Sequence, residues 1–168
     1  MKTLIQLFED CVSKYSDNVF LLEKKNNKYM GSTFKEVHEK AYQAGAGLLA
    51  MGVQKGDRIA LFSEGRNDWV ISELGIFYSG GVNVPLSVKL SEPSELRFRI
   101  DHSGARFIIA SKNQAKKIVP IMDSLPKLEK LILLDFQDDY QNFEVPFSEI
   151  MEKGREFLKS SPDKFIER

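Results

Sequence analysis

Among its 168 residues the chain has one cysteine, Cys11, and two histidines, His38 and His102. A single cysteine excludes an internal disulfide. That fits a reducing compartment, and a cytoplasmic location is the expectation. Cys11 shares a helical face with Leu4, Leu7, Phe8, Val12 and Tyr15, which predicts a buried structural thiol rather than a nucleophile. His38 and His102 lie far apart and offer no metal-ligand spacing. His38 is placed on the polar face of its helix, and His102 at the end of another, where an imidazolium suits the macrodipole. Net charge is also missing, with 24 basic and 24 acidic residues. A balanced chain carries no footprint for nucleic acid or an anionic membrane. Apolar runs such as Leu131 to Leu134 fall far short of the ~20 residues that span a bilayer. The start, MKTLIQLFEDCVSKYSDN, is interrupted by Gln6, Glu9 and Asp10 and does not read as a secretory signal.

Motifs that hold phosphates are missing too. There is no G-x-x-x-x-G-K-[ST], and no G-x-G-x-x-G following a strand. Gly80 and Gly81 precede a strand, and Gly45 and Gly47 lie within a helix. No G-x-S-x-G elbow supports a serine nucleophile. Asp138 and Asp139 fall in an irregular acidic stretch and read as solvated charges.

What is present is 42% hydrophobic and 29% charged, ordinary for a globular protein and enough for one core or part of a larger one. A helix is expected from about Thr3 to Lys14. Short strands follow at Val19 to Leu22 and Lys28 to Thr33, joined through Asn26 and Asn27, which tolerate positive φ. Thr33 and Glu36 form a T-x-x-E capping box. The helix it opens carries Phe34, Val37, Ala41, Ala44 and Leu48 at steps of three and four. Gly52 is placed to end it, while Gly45 and Gly47 predict close approach of another backbone.

Strands and helices then alternate. Strands are expected at Arg58 to Phe62, Gly81 to Val84, Arg106 to Ala110 and Leu131 to Leu134. Helices are expected at Asn67 to Tyr78, at Glu92 to His102 with Ser91 as cap, and at Lys112 to Asp123. The strands are apolar without alternation, as when helices cover both faces. The fold class is therefore α/β: a mostly parallel sheet flanked by helices, with an N-terminal hairpin. Residues 135–146 read as an irregular excursion. A last amphipathic helix is expected from Phe147 to Lys159, ahead of a polar tail. The loop from Ser63 to Asn67 follows the first strand of the alternation, at the edge where open α/β sheets gather ligands. Arg66 could meet an anion there. A plain loop, with Asn67 or a neighbour capping the next helix, is the preferred reading.

Several segments together resemble the adenylate-forming enzymes. TFKEV at Thr33 to Val37 is similar to the family's T-[YF]-x-E-[LV] element. The run beginning GVQKGDRIA is similar to its G-[VI]-x-x-G-D-[RV]-[VI]-A. Ser79 to Leu86 (SGGVNVPL) resembles its A-G-[AG]-x-x-[VN]-P-[LI] turn, and LSEPSELRFRIDHSGARFIIAS the following helix and strand. The match is collinear from Thr33 to Ser111. SEGRNDWVISELGIFYSGGVNVPL and the tail from Phe147 to Arg168 resemble the long-chain fatty-acid–CoA ligases.

The resemblance implies a parent enzyme that uses ATP, Mg²⁺ and CoA on a fatty acid. The carboxylate attacks the α-phosphate of ATP, and the CoA thiol then displaces AMP. The family's phosphate loop, metal-binding Glu, ribose-binding Asp and C-terminal-domain Lys match no position within residues 1–168. No catalytic, cofactor-binding or metal residue is assigned here, no cofactor is expected on this chain alone, and it is expected to be an inactive fragment. The resemblance divides it into residues 1–33 (helix and hairpin), 34–134 (α/β core) and 135–168 (loop, helix and linker). Its expected partner is the remainder of its own chain. A homodimer and peripheral membrane association of the parent stay open, as do a free-standing α/β binding or interaction module without catalysis and an adenylating ligase for another carboxylic acid.

Overall fold

A computed structural model describes residues 2–161. Helix α1 (Leu4–Tyr15) opens on a reciprocal capping box between Thr3 and Gln6. Strands β1 (Val19–Lys25) and β2 (Lys28–Thr33) form an antiparallel hairpin. Asn26 and Asn27 turn it at φ of 50° and 60°, as their tolerance of left-handed backbone predicts. Thr33 and Glu36 form the second capping box and open α2 (Phe34–Ala50). That helix ends at Met51, with Gly52 beyond it at φ +88°.

The alternation follows as β3 (Arg58–Phe62), α3 (Asn67–Tyr78), β4 (Val82–Pro85), α4 (Pro93–Ser103), β5 (Phe107–Ala110), α5 (Lys112–Ile118), β6 (Lys130–Leu133), β7 (Glu144–Pro146) and α6 (Phe147–Ser160). The sheet runs in the order β4-β3-β5-β6-β7, and every pairing is parallel. Both faces are covered, as the unalternating strands imply. Ala60, Phe62, Ile108, Ala110, Leu131 and Leu133 pack under α4 and α5. Ile59, Leu61, Phe107, Ile109, Ile132 and Val145 pack with Leu48 of α2, Ile76 of α3 and Ile150 of α6. A satellite cluster of Phe8, Phe20, Leu21, Phe34 and Val37 fastens α1 and the hairpin to α2.

Gly47 of α2 and Gly154 of α6 bring the two helices together backbone to backbone. A Cβ on Gly47 would lie 2.0 Å from the Ile150 carbonyl oxygen, and one on Gly154 would lie 1.9 Å from that of Gln43. Helix α3 leaves through Gly80 at φ +76°, which only glycine adopts freely.

Several local expectations are corrected. Helix α4 is preceded by Glu92, not Ser91, and has no side-chain cap; Pro93 holds its first position instead. Helix α5 ends at Ile118 and tightens into a 3₁₀ helix, Val119–Ser124, because Pro120 cannot donate to an α-helical carbonyl. The stretch read as wholly irregular contains β7, a three-residue edge strand. Cys11 is half-buried rather than buried. Of its helical face only Phe8 is buried, while Leu4, Leu7 and Tyr15 are exposed. The tail beyond 161 lies outside the described residues.

Candidate functional site at the carboxyl edge

After β3 the chain crosses to β4 on one side, and β5 returns on the other. The direction therefore reverses between β3 and β5. In an open parallel sheet this reversal splays the following loops apart and leaves a crevice at the carboxyl ends. Three loops meet there: Ser63 to Arg66 after β3, Ser111 after β5, and Leu134 to Asp135 after β6.

Arg66 binds two carboxylates of its own chain. Its Nη1 donates to Asp135 Oδ1 at 2.6 Å and its Nη2 to Asp68 Oδ2 at 2.9 Å. Asp135 Oδ2 also accepts from the Lys112 backbone N–H at 2.8 Å. One carboxylate thus joins the loop after β6 to the start of α5 and, through Arg66, to the start of α3. Burial works against charge on Asp135, but the Arg66 and Lys112 hydrogen bonds outweigh it and hold its pKa below the ordinary value. Burial likewise opposes the Arg66 charge, and Asp135 and Asp68 overcome it, raising that pKa. The anion that Arg66 meets is therefore internal. Asn67 does not cap α3; Arg66 occupies that position without a side-chain capping bond to the helix amides, and Asn67 Nδ2 donates to Ser32 Oγ at 3.3 Å.

Beside this clasp, Ser111 caps α5 by accepting from the Gln114 N–H at 3.4 Å. The Gln114 amide, itself buried, donates through Nε2 to Glu64 Oε1 at 2.7 Å. The Ser111 hydroxyl lowers the Glu64 pKa, burial opposes it, and Gln114 adds to the lowering. Arg66 Nε and Gln114 Oε1 are buried without a hydrogen-bond partner among the described residues. The Ser111-x-x-Gln114 spacing directly after the β5 strand is a capping signal that the sequence reading passed over. The Arg66–Asp135 pairing spans 69 residues and leaves no local trace.

The remaining candidates lie elsewhere. His38 is half-buried between α1 and α3, not on a polar face. Its Nε2 lies 3.0 Å from Glu9 Oε1, which also accepts from the Tyr78 hydroxyl, and its ring stacks on Tyr42. Burial, then Glu9, pushes the Tyr78 pKa far up. His102 is exposed and stacks on Phe98 in the last turn of α4. Gly80 and Gly81 lie at the amino end of β4, away from the carboxyl edge. Asp138 and Asp139 are exposed, in the loop before β7. Among the described residues no cluster of three or more His, Cys, Asp or Glu could hold a metal ion, and no helix is long and apolar enough to cross a membrane.

The proteins this chain is similar to include several CoA ligases. A long-chain-fatty-acid–CoA ligase of Xenopus laevis is 23% identical over 98% of this chain and 22% of its own length. A 4-hydroxybutyrate–CoA ligase of Metallosphaera sedula is 26% identical over 91% of this chain and 27% of its own. The fold superimposes on a long-chain-fatty-acid–CoA ligase from Archaeoglobus fulgidus with a TM-score of 0.78 at 16% identity, covering 91% of this chain and 30% of that one. The chain thus spans about a quarter of the length of the relatives it matches. The family model of the AMP-binding enzymes matches residues 8–164, and the chain belongs to that family.

Proposed function

We propose that this chain supplies the N-terminal scaffold of an ATP-dependent long-chain fatty-acid–CoA ligase. The observation that carries this reading is the match to a long-chain-fatty-acid–CoA ligase along 98% of the chain but only 22% of the relative. The parts proposed are residues 1–33 as helix and hairpin, 34–134 as α/β core, and 135–168 as loop, helix and linker. In the parent, a fatty-acid carboxylate attacks the α-phosphate of ATP and pyrophosphate leaves. The CoA thiol then attacks the acyl-adenylate carbonyl and AMP leaves. ATP, Mg²⁺ and CoA are the parent's requirements.

The residues at the switch point do not fit a nucleoside triphosphate. Arg66 is committed to Asp68 and Asp135, and Glu64 and Asp135, both held ionised, would repel phosphate. No catalytic step is assigned to residues 1–168. Their role is to hold three loops in fixed relation at the carboxyl edge, on which later parts of such an enzyme are built. The 4-hydroxybutyrate relative, at 26% identity, favours a second reading in which the acid is shorter.

Calorimetry on the 168-residue chain with ATP and with a long-chain acyl-adenylate analogue should give no saturable heat. The longer gene product should form acyl-CoA from long-chain acids and prefer them to 4-hydroxybutyrate and benzoate. Saturable nucleotide binding by the chain alone would overturn the scaffold role, and a preference for a short or aromatic acid would overturn the substrate.

A further inference from the structure

A cleft of about 610 Å³ opens between the first turns of α1, Tyr42 of α2 and the end of α3. It reaches Gly80 and Gly81, at the amino end of β4, and so lies away from the carboxyl edge. Leu4, Ile5, Phe77 and the two tyrosines Tyr42 and Tyr78 make its walls mostly apolar and aromatic. Glu9 is the single charged side chain among the described residues that line it. Volume, apolar walls and one polar focus are the ordinary make-up of a small-molecule site.

Glu9 is held in place by all three helices. It stands on α1, its Oε1 accepts from the Tyr78 hydroxyl of α3, and the same oxygen lies 3.0 Å from His38 Nε2 of α2. Its Oε2 accepts no hydrogen bond among the described residues. Burial, then Glu9, raises the pKa of Tyr42 as it does that of Tyr78. Both phenols therefore stay neutral, and Glu9 sets the charge of the lining.

That lining selects its occupant. An anion would meet the Glu9 carboxylate with no cation among the lining residues to balance it. A metal ion would find one carboxylate, and among the described residues no group of three or more His, Cys, Asp or Glu could hold it. A neutral molecule would shut water away from Glu9 without replacing its hydrogen bonds. We infer that the cleft binds a primary organic amine. Its ammonium donates to Glu9 Oε2, a charge-assisted bond, and its apolar body lies against Leu4, Ile5 and Phe77. Tyr78 and His38 fix the carboxylate before the amine arrives, so little order is lost on binding. The site is at the opposite end of the sheet from Arg66, and its assignment does not depend on the ligase reading.

The test is an NMR titration of the ¹⁵N-labelled 168-residue chain with 2-phenylethylamine. The alcohol 2-phenylethanol and the anion 3-phenylpropionate serve as neutral and negative molecules of similar shape. The amine should saturate, and should bind about tenfold more tightly than the alcohol, as a partly exposed charge-assisted bond implies. The anion should not saturate. Amide shifts should concentrate at residues 3–9 and 77–81. Trimethylation of the amine, which leaves no N–H to donate, should weaken binding. Glu9→Gln should remove the preference for amine over alcohol, while Ile5→Ser should weaken both alike. Circular dichroism melting checks that each variant folds, and the natural chain alone ranks the three probes even if Glu9→Gln does not. No saturable amine binding up to about 10 mM would overturn the inference. Equal affinity for amine and alcohol would overturn it too, as would shifts centred on Glu64, Gln114 and Asp135.

Discussion

Replacing Gly47 by alanine probes the helix crossing on which one whole layer depends. The new Cβ would start 2.0 Å from the Ile150 carbonyl oxygen, 2.8 Å from its carbonyl carbon and 2.8 Å from its Cγ2. Two of these atoms are backbone and cannot turn aside as a side chain would. To reach ordinary contact at 3.4 Å, α6 must withdraw by about 1.4 Å. A radial gap of even 0.5–1 Å forfeits a quarter to a half of each dispersion contact. Ile150, buried between α2, α3 and the sheet, would lose most of that packing. The cost is about 3 kcal/mol, in the range of core overpacking. Against it stands about 1 kcal/mol gained because alanine is the better helix former. The net loss is about 2 kcal/mol, or roughly 4–8 °C in Tm for a chain of this size. The control is Gly65→Ala, where a Cβ meets nothing within 4 Å and stability should change by less than about 0.5 kcal/mol. Gly154→Ala should cost about as much as Gly47→Ala. The double variant should cost less than the two together, because the first substitution has already moved α6 away. Urea unfolding of the four variants measures all of this. If Gly47→Ala proves as stable as the natural chain, the backbone contact is not what fixes α6.

Asp135→Asn should remove about 1–2 kcal/mol at pH 7, because it weakens a charge-assisted bond from Arg66 and another from Lys112. The natural Asp135 has a folded pKa below its ordinary 3.8. The unfolded chain therefore takes up the proton first as pH falls. The Asp135 contribution is complete above about pH 5 and is lost progressively on descent through the ordinary and then the folded pKa. The variant should show a shallower acid limb in stability measured by urea titration between pH 3 and 7, and an unchanged limb would refute the clasp. Thr33→Ala should cost about 1 kcal/mol by chemical denaturation, through loss of the bond to the Glu36 N–H. Thr3→Ala should cost less, since α1 contributes a single buried residue, Phe8. Gly80→Ala should cost about 1 kcal/mol in Tm-derived stability although its Cβ would make only ordinary contact with Lys55, at 3.5 Å, because φ is +76°.

Much of the fold was legible because its signals are local. The Thr33–Glu36 box, the asparagine turn and the apolar strands each act within a few residues, and each stands where the sequence placed it. Strand β7 was not legible, since Glu144–Pro146 is three residues long, carries a proline and gains its identity from pairing with β6. The break in α5 could have been read from Pro120. The outward face of α1 could not, because helical periodicity shows that a stripe exists without showing which part of it finds a partner. Leu4 and Leu7 share a helix with Phe8, yet only Phe8 meets Phe20 and Phe34. At the carboxyl edge the sequence located the loop but not its chemistry. An arginine after a strand suggests an anion, and only the fold reveals that Asp135 supplies it.

The crossing of α2 and α6 also bears on synthesis. Gly47 and Gly154 are more than a hundred residues apart in the chain. A ribosome adding ~5–20 residues each second takes about 5–20 s to pass from one to the other. Throughout that interval α2 has emerged without the helix that seals it, and the strip around Gly47 and Leu48 is open to whatever the nascent chain encounters. The layer on that side of the sheet can close only when the final described helix is delivered, so its completion is timed by translation and not by the rate at which the sheet itself assembles.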